Sequence, residues 1–273
     1  MSDWTGVLEL EAEDRRGKTV TNHLFFQGSF KIMRPVYHKA NQPCFYILNP
    51  GGGFLDGDTY HVNISAKEGS KLTLTTQGAT KVYKTPTQPA YQETEFFLEE
   101  GSYVEYLPDP LIAYKDARYV QKNIVRMKKG STFISSDIVT PGWSPEGEYF
   151  DYDSLRLLNE IYMDDELVVY DHVKLEPEAH HMNGLGFMEG YTHLGSFFVI
   201  GEKTDEQLLD KLYEAIQETS ADVKAGLSQL HVPGFSIRIL AHSSQVIENI
   251  IWRCHTIIHQ EWFGTKPSFL RKY

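Results

Sequence analysis

The side chains of this 273-residue chain best suited to chemistry are histidines and carboxylates. His255 and His259 stand four apart in a segment of helical periodicity, so both imidazoles can leave one helix face and hold zinc or nickel once a third ligand arrives. No His-Glu-x-x-His sequence adds a general base beside them, and packed or surface histidines share this spacing. His180 and His181 lie in a loop between Pro177 and Gly184, a second place where a metal can be held in passing. The run from Pro50 through Gly51, Gly52 and Gly53 to Asp56, Gly57 and Asp58 suggests a phosphate loop, yet it lacks the Gly-Lys-Ser/Thr ending and a following helix. It reads instead as a tight loop that projects Asp56 and Asp58 from a fixed frame, with Asp58 opening a strand and aimed at an internal channel. There is no Gly-x-Ser-x-Gly elbow, Cys44 has no histidine signal near it, and the pairs Asp164/Asp165 and Asp151/Asp153 read as turn or surface residues. The sequence therefore carries no catalytic signature.

The elements that must position these groups are mostly strands. From Gly6 to about Ile200, short alternating runs such as His61-Val62-Asn63-Ile64-Ser65 are separated by turn residues. A charged-charged-Gly-Ser turn recurs at Lys67–Ser70, Glu99–Ser102 and Lys128–Ser131, roughly 30 residues apart, with a degenerate fourth copy at Asp164-Asp165-Glu166. Each copy reads as a hairpin turn, and units of this length stack so that each buries its neighbour's open face. Counting on from the turns places Thr76, Pro108, Asp137 and Asp171 in one row along an edge of the stack. Beyond residue 200, Thr204-Asp205-Glu206-Gln207 is a capping box that starts a helix running to about Thr219, with Leu208, Leu209, Leu212, Tyr213 and Ile216 on its apolar face. A strand over Gly234 to Leu240 precedes a second helix from Ser244 to Phe263, stopped by Gly264. The basic, aromatic tail from Lys266 to Tyr273 is a candidate docking segment. The fold expected is a mainly β single domain over 1–273: a stacked-hairpin, β-helix-like region over 1–200, then a helix-strand-helix region with two C-terminal α-helices over 201–273.

Bulk properties bound the partners. A hydrophobic content of 41% suffices for a full core. The formal charge of −11 disfavours nucleic acid and suits a basic protein partner or a passing cation. Cys44 and Cys254 are too few for a disulfide framework, and neither a leader-like amino terminus nor a membrane-length apolar run is evident, so a cytoplasmic protein with no membrane partner is expected.

Four segments, read in order, carry a family resemblance: Pro50-Gly51-Gly52-Gly53 leading to Gly57-Asp58; Leu74 to Tyr83, containing Thr76-Gln77-Gly78-Ala79-Thr80-Lys81; Glu105-Tyr106-Leu107-Pro108-Asp109-Pro110-Leu111-Ile112; and Gly142-Trp143-Ser144-Pro145-Glu146-Gly147-Glu148. With the terminal stretch from Trp252 to Arg271 they make the chain resemble the UreD family of urease accessory proteins, called UreH in some organisms. That resemblance implies a chaperone without enzymatic activity, binding urease apoprotein, a UreF-like accessory protein and, through it, a UreG-like GTPase that carries nickel. It further implies no tightly bound cofactor, only transient Ni2+ in an internal passage. Matching residue by residue, the candidates for that passage are Asp58, Thr80, Lys81, Glu105, Asp137, Glu148 and Asp171, with Lys81 also able to pair with a carboxylate. Two positions depart from the family pattern: Asn49 where many relatives have histidine, and Trp143 where many have arginine. Readings from other classes are a metal-dependent hydrolase using His255 and His259, or a β-rich binding module.

Overall fold

In the computed structural model, which describes residues 4–218, 222–268 and 270, the chain opens with an antiparallel pair, β1 (Gly6–Arg15) and β2 (Lys18–Gly28). Short strands β3 (Lys31–Ile32) and β4 (Val36–Lys39) both pair with β5 (Gln42–Leu48). Three coils follow: β6 (Thr59–Ala66), β7 (Lys71–Thr76) and β8 (Thr80–Val82); β9 (Ala90–Leu98), β10 (Tyr103–Tyr106) and β11 (Leu111–Ala113); then β12 (Arg118–Met127) and β13 (Thr132–Val139). The remainder comprises β14 (Ser154–Met163), β15 (Glu166–Leu175), β16 (His193–Ile200), α1 (Glu206–Gln217), β17 (Lys224–Gln229), β18 (Gly234–Ala241) and α2 (Ser244–Phe263). A seven-stranded sheet has the order β15-β14-β12-β9-β6-β1-β2, and an eleven-stranded sheet runs β17-β18-β16-β13-β10-β7-β5-β3 with β4, β8 and β11 attached.

The recurring Gly-Ser turns are corners between these sheets. Gly69, Gly101 and Gly130 all take positive φ, and the following Ser70, Ser102 and Ser131 donate their hydroxyls to the carbonyls of Lys67, Glu99 and Lys128 at 2.7, 2.6 and 2.5 Å. The strands flanking each corner therefore pair with neighbouring coils and not with each other: β6, β9 and β12 run parallel in one sheet, and β7, β10 and β13 in the other. The expected stack is present as β-helix-like coils. Only the degenerate fourth copy closes a hairpin, between β14 and β15, with Asp164 and Asp165 at φ 48° and 69°. Counting from the turns gives the correct register for the first three coils, since Tyr103 lies beside both Lys71 and Thr132. Asp171 leaves the expected row because its hairpin keeps it in the opposite sheet.

The two sheets have different surroundings. In the seven-stranded sheet β6 and β9 alternate buried and half-buried residues, since only one face is covered. The eleven-stranded sheet is covered on both sides: Leu74, Val104 and Phe133 pack toward the first sheet, while Ile134, Phe197 and Ile237 pack under Leu212, Ile247 and Ile258 of the helices. Consequently β10 is buried at every position. The helix α2 has the bounds its periodicity predicts, capped by the Ser243 hydroxyl at the Val246 N–H and ended by Gly264 at φ 64°. The cap of α1 is Asp205, whose carboxylate accepts from the Leu208 N–H, and not the expected Thr204, because the carboxylate one residue later reaches the free amide. Tyr213, expected on the apolar face of α1, is exposed. Thr219, the expected end of that helix, lies outside the described residues, as do Phe269 and 271–273 of the tail. Among the described residues, no helix is long and apolar enough to cross a membrane.

Close docking of α2 depends on Gly195 in β16, where an added Cβ would lie 2.4 Å from Ile247 Cγ2. Gly195→Ala is expected to destabilise the protein by about 1–3 kcal/mol through overpacking. Gly226→Ala, with open space around it, should change stability by less than about 0.5 kcal/mol. Urea denaturation of both variants measures the difference.

Candidate functional site

On β10, Val104 and Tyr106 point toward the seven-stranded sheet, which leaves Tyr103 and Glu105 pointing toward α2. There the Glu105 carboxylate meets five donors. Its Oε1 accepts from the Tyr103 hydroxyl at 2.5 Å, His255 Nε2 at 2.9 Å and His259 Nε2 at 2.7 Å. Its Oε2 accepts from the Thr73 hydroxyl at 2.6 Å and Gln42 Nε2 at 3.2 Å. Behind His259, Lys39 Nζ lies 3.0 Å from Nδ1. An ammonium can only donate and a carboxylate only accept, so His259 presents a lone pair at Nδ1 and a proton at Nε2. Glu105, His255 and His259 are all buried. Burial pushes the Glu105 carboxyl up, but the charge and hydrogen bonds of the two histidines outweigh it and hold the group well below the usual range. Burial likewise pushes His259 down, against the pull of its bond to Glu105. The Tyr103 hydroxyl is driven well above its ordinary range by burial and then by the Glu105 charge, so it stays a donor.

A second polar group lies between the sheets. Gln121 Nε2 donates to Asp137 at 2.9 Å, Asn123 Nδ2 to Asn159 at 2.8 Å and Asn159 Nδ2 to Asp171 at 3.3 Å, while Arg238 reaches both Asp171 and Ser196. The buried Asn123 Oδ1 has no hydrogen-bond partner among the described residues. Burial raises the Asp137 pKa; the Gln121 bond opposes this, and the nearby Asp171 charge adds to it.

Each polar group borders a hollow. One cavity of about 400 Å³ lies between the sheets and is lined by Thr80, Lys81, Gln121 and Asp137. Another of about 560 Å³ lies between the eleven-stranded sheet and α2, lined by Thr73, Glu105, Trp252 and His255. Pro108, Asp109 and Ile138 are walls of both. The Leu107–Pro110 segment that interrupts this coil thus stands between the two hollows.

The other expected site residues are placed elsewhere. Asp58 does not line either cavity: its carboxylate accepts from the Leu55 N–H at 2.8 Å and the Tyr60 hydroxyl at 3.0 Å, bracing its own loop. Asp56 instead ties this loop to the next one, accepting from the Thr87 and Gln88 amides. In the glycine loop Gly53 serves close packing, since a Cβ there would meet the Lys81 carbonyl at 2.7 Å, while Gly52 and Gly57 take positive φ. Glu148 is exposed on a surface loop. His180 accepts from the Glu176 N–H through Nδ1, and the His181 carbonyl accepts from Gly184 N–H, so each belongs to local turns. Glu105 and the pair His255/His259 arise separately in the sequence, and the fold joins them. Gln42 and Thr73, which reach the carboxylate from β5 and β7, and Lys39, which reaches His259 from β4, escape sequence reasoning because no local pattern ties these strands to one site. A further group, His61, Glu93 and Glu95, sits half-buried on the outer face of the seven-stranded sheet, with Trp4 stacked on His61.

Comparison with known proteins matches residues 5–272 to the family model described as UreD urease accessory protein. A protein named urease accessory protein UreD from Lachnoclostridium phytofermentans is 45% identical over 274 residues, covering 100% of each chain. Proteins of the same name from Bacillus sp. strain TB-90 and Staphylococcus aureus strain bovine RF122 are each 42% identical, over 98% and 99% of this chain and 99% and 98% of their own.

Truncating Glu105 would leave two imidazoles, two hydroxyls and an amide facing each other in a buried layer without their shared acceptor. Glu105→Ala is expected to cost about 3–5 kcal/mol in urea denaturation. Thr73→Val, which removes a single donor, should cost only about 1 kcal/mol.

Proposed function

This chain belongs to the UreD urease accessory protein family, and we propose that it serves urease maturation as a docking scaffold that assists nickel delivery without a chemical step of its own. In this reading it binds urease apoprotein and a UreF-like accessory protein, and through the latter a UreG-like GTPase. Nucleotide hydrolysis then belongs to the GTPase, and nickel is cargo. The glycine loop, whose Asp58 accepts from its own Leu55 amide and whose Asp56 accepts from Thr87 and Gln88, is in keeping with that division.

The observation that carries the reading is the pair of hollows separated by Pro108, Asp109 and Ile138, with Asp137 on one side and Glu105 on the other. A cation in transit needs oxygen ligands that bind weakly enough to release it. Thr80, Gln121 and Asp137 offer such oxygens along the first cavity. Arg238 pairs with Asp171, and Asp137 and Asp109 are the carboxylates on the cavity wall that can attract a divalent ion. Trp143, half-exposed and packed on Tyr114, offers an aromatic contact at the surface for a protein partner.

Asp137→Asn is expected to preserve co-purification with urease apoprotein and the UreF-like partner while lowering the nickel content of the matured urease several-fold. Metal analysis of urease from cells carrying each form measures this, with Glu148→Gln, on the exposed loop, as the variant expected to load normally. Equal nickel in the Asp137 variant and the parent removes Asp137 from the route. Failure of the parent chain to capture urease apoprotein would sink the scaffold reading.

A further inference from the structure

We propose that Glu105, His255 and His259 form a site for one divalent transition-metal ion, with Lys39 as the group that fills in for the metal when it is absent. The proposal rests on the scaffold reading only for the identity of the physiological metal; the site itself follows from the geometry of the cluster.

Three donors of the right kinds converge on one point. The Nε2 atoms of His255 and His259 lie 2.9 and 2.7 Å from the same carboxylate oxygen, and the two rings are nearly perpendicular. Metal–ligand bonds of about 2.0–2.1 Å meeting at a right angle set neighbouring donors about 2.9 Å apart. The three donor atoms all lie within 4.8 Å of one another, a spacing that side-chain rotation can gather around one ion. Two imidazoles and a carboxylate select nickel, zinc or cobalt over magnesium or calcium, which prefer all-oxygen shells. Thr73 and Gln42 hold the other carboxylate oxygen, so Glu105 is oriented by partners that need not move. An entry path exists, because the cavity beneath α2 reaches Glu105 and His255, with Glu248 on its wall.

Charge balance explains Lys39. A carboxylate buried under a helix needs positive charge nearby, and the half-buried Lys39 ammonium against His259 Nδ1 contributes it. A divalent ion would take over that role, displacing the protons on the two Nε2 atoms and freeing Nδ1 to carry the ring proton. Lysine then no longer has an acceptor there, so ion and ammonium compete for the same pocket of negative charge. A purely structural pin between β10 and α2 predicts no such competition: losing Lys39 could only weaken it.

The test is titration of the purified full chain with Ni2+ alone and Co2+ alone, all proteins carrying His61→Ala to silence the outer group. One ion per chain is expected, with cobalt absorption bands of a bound site and X-ray absorption of the nickel form showing two imidazoles. His259→Gln and His255→Gln should each weaken binding by about a hundredfold, and Lys39→Met should tighten it several-fold. Circular dichroism checks that each variant folds; should the histidine variants unfold, the imidazole count on the unmutated site still decides. Absence of bound ion at millimolar metal, a nickel shell without imidazole, or a folded Lys39→Met chain that binds no more tightly overturns the proposal. Urease activation in cells separates the two readings: retained activation by a folded chain that binds no ion refutes the site and leaves the scaffold role intact. Captured metal without any association with urease apoprotein does the reverse.

Discussion

A sheet covered on both faces leaves a polar side chain little access to bulk water, and that constraint shapes the centre of this protein. The eleven-stranded sheet lies between the seven-stranded sheet and the two helices, so every polar residue on β10 or its neighbours must find partners within the fold. Glu105 finds them on β5, β7, β10 and α2 at once. The interaction is thus a joint between the helical layer and the stack, and the position of α2 depends on it as much as on the apolar contacts of Ile247 and Ile258. Gly195 serves the same docking, since its missing side chain lets Ile247 of the helix lie against β16.

Much of the fold was legible in the sequence because its signals are local. Period-two alternation in His61 to Ser65 identifies a strand covered on one face, and the recurring Gly-Ser corners announce stacking, with Tyr103 beside Lys71 and Thr132 as their spacing implies. The helix from Ser244 to Phe263 carries its own start and stop in Ser243 and Gly264. What the turns do not encode is whether the chain doubles back or crosses to another sheet. Glycine at positive φ followed by serine serves either path, and only packing of the apolar faces against each other selects the corner. The same limit misplaced Asp171, which belongs to the one copy that does double back.

The site was less legible for a related reason. His255 and His259 are conspicuous as a pair, and Glu105 stands out within the Glu-Tyr-Leu-Pro-Asp-Pro segment, yet 150 residues separate Glu105 from His255. Nothing local joins them. Asp58 is a different case: a carboxylate beside glycines looks free to project, but loop amides are themselves unsatisfied donors, and that of Leu55 bonds to it. Carboxylates next to exposed backbone turns are therefore poor candidates for ligands, whereas carboxylates on strands whose amides are already paired retain their acceptors for other partners.

That distinction bears on how a scaffold can handle a cation. Asp137 and Glu105 both lie on strands of the central sheet, with backbone partners supplied by neighbouring coils, so each side chain is spent on other side chains. Their environments differ in kind. Asp137 faces amides and a cavity whose walls also carry Thr80 and Asp109, where burial raises its pKa and a cation would meet oxygen donors alone. Glu105 faces imidazoles, which bind borderline metals more firmly than amide oxygens do. The interrupted coil at Pro108 and Asp109 separates a weak oxygen environment from a stronger nitrogen one. Because β10 and β13 are adjacent in one rigid sheet, their spacing cannot drift independently, and the contrast between the two environments is fixed by the same hydrogen-bond ladder that builds the stack.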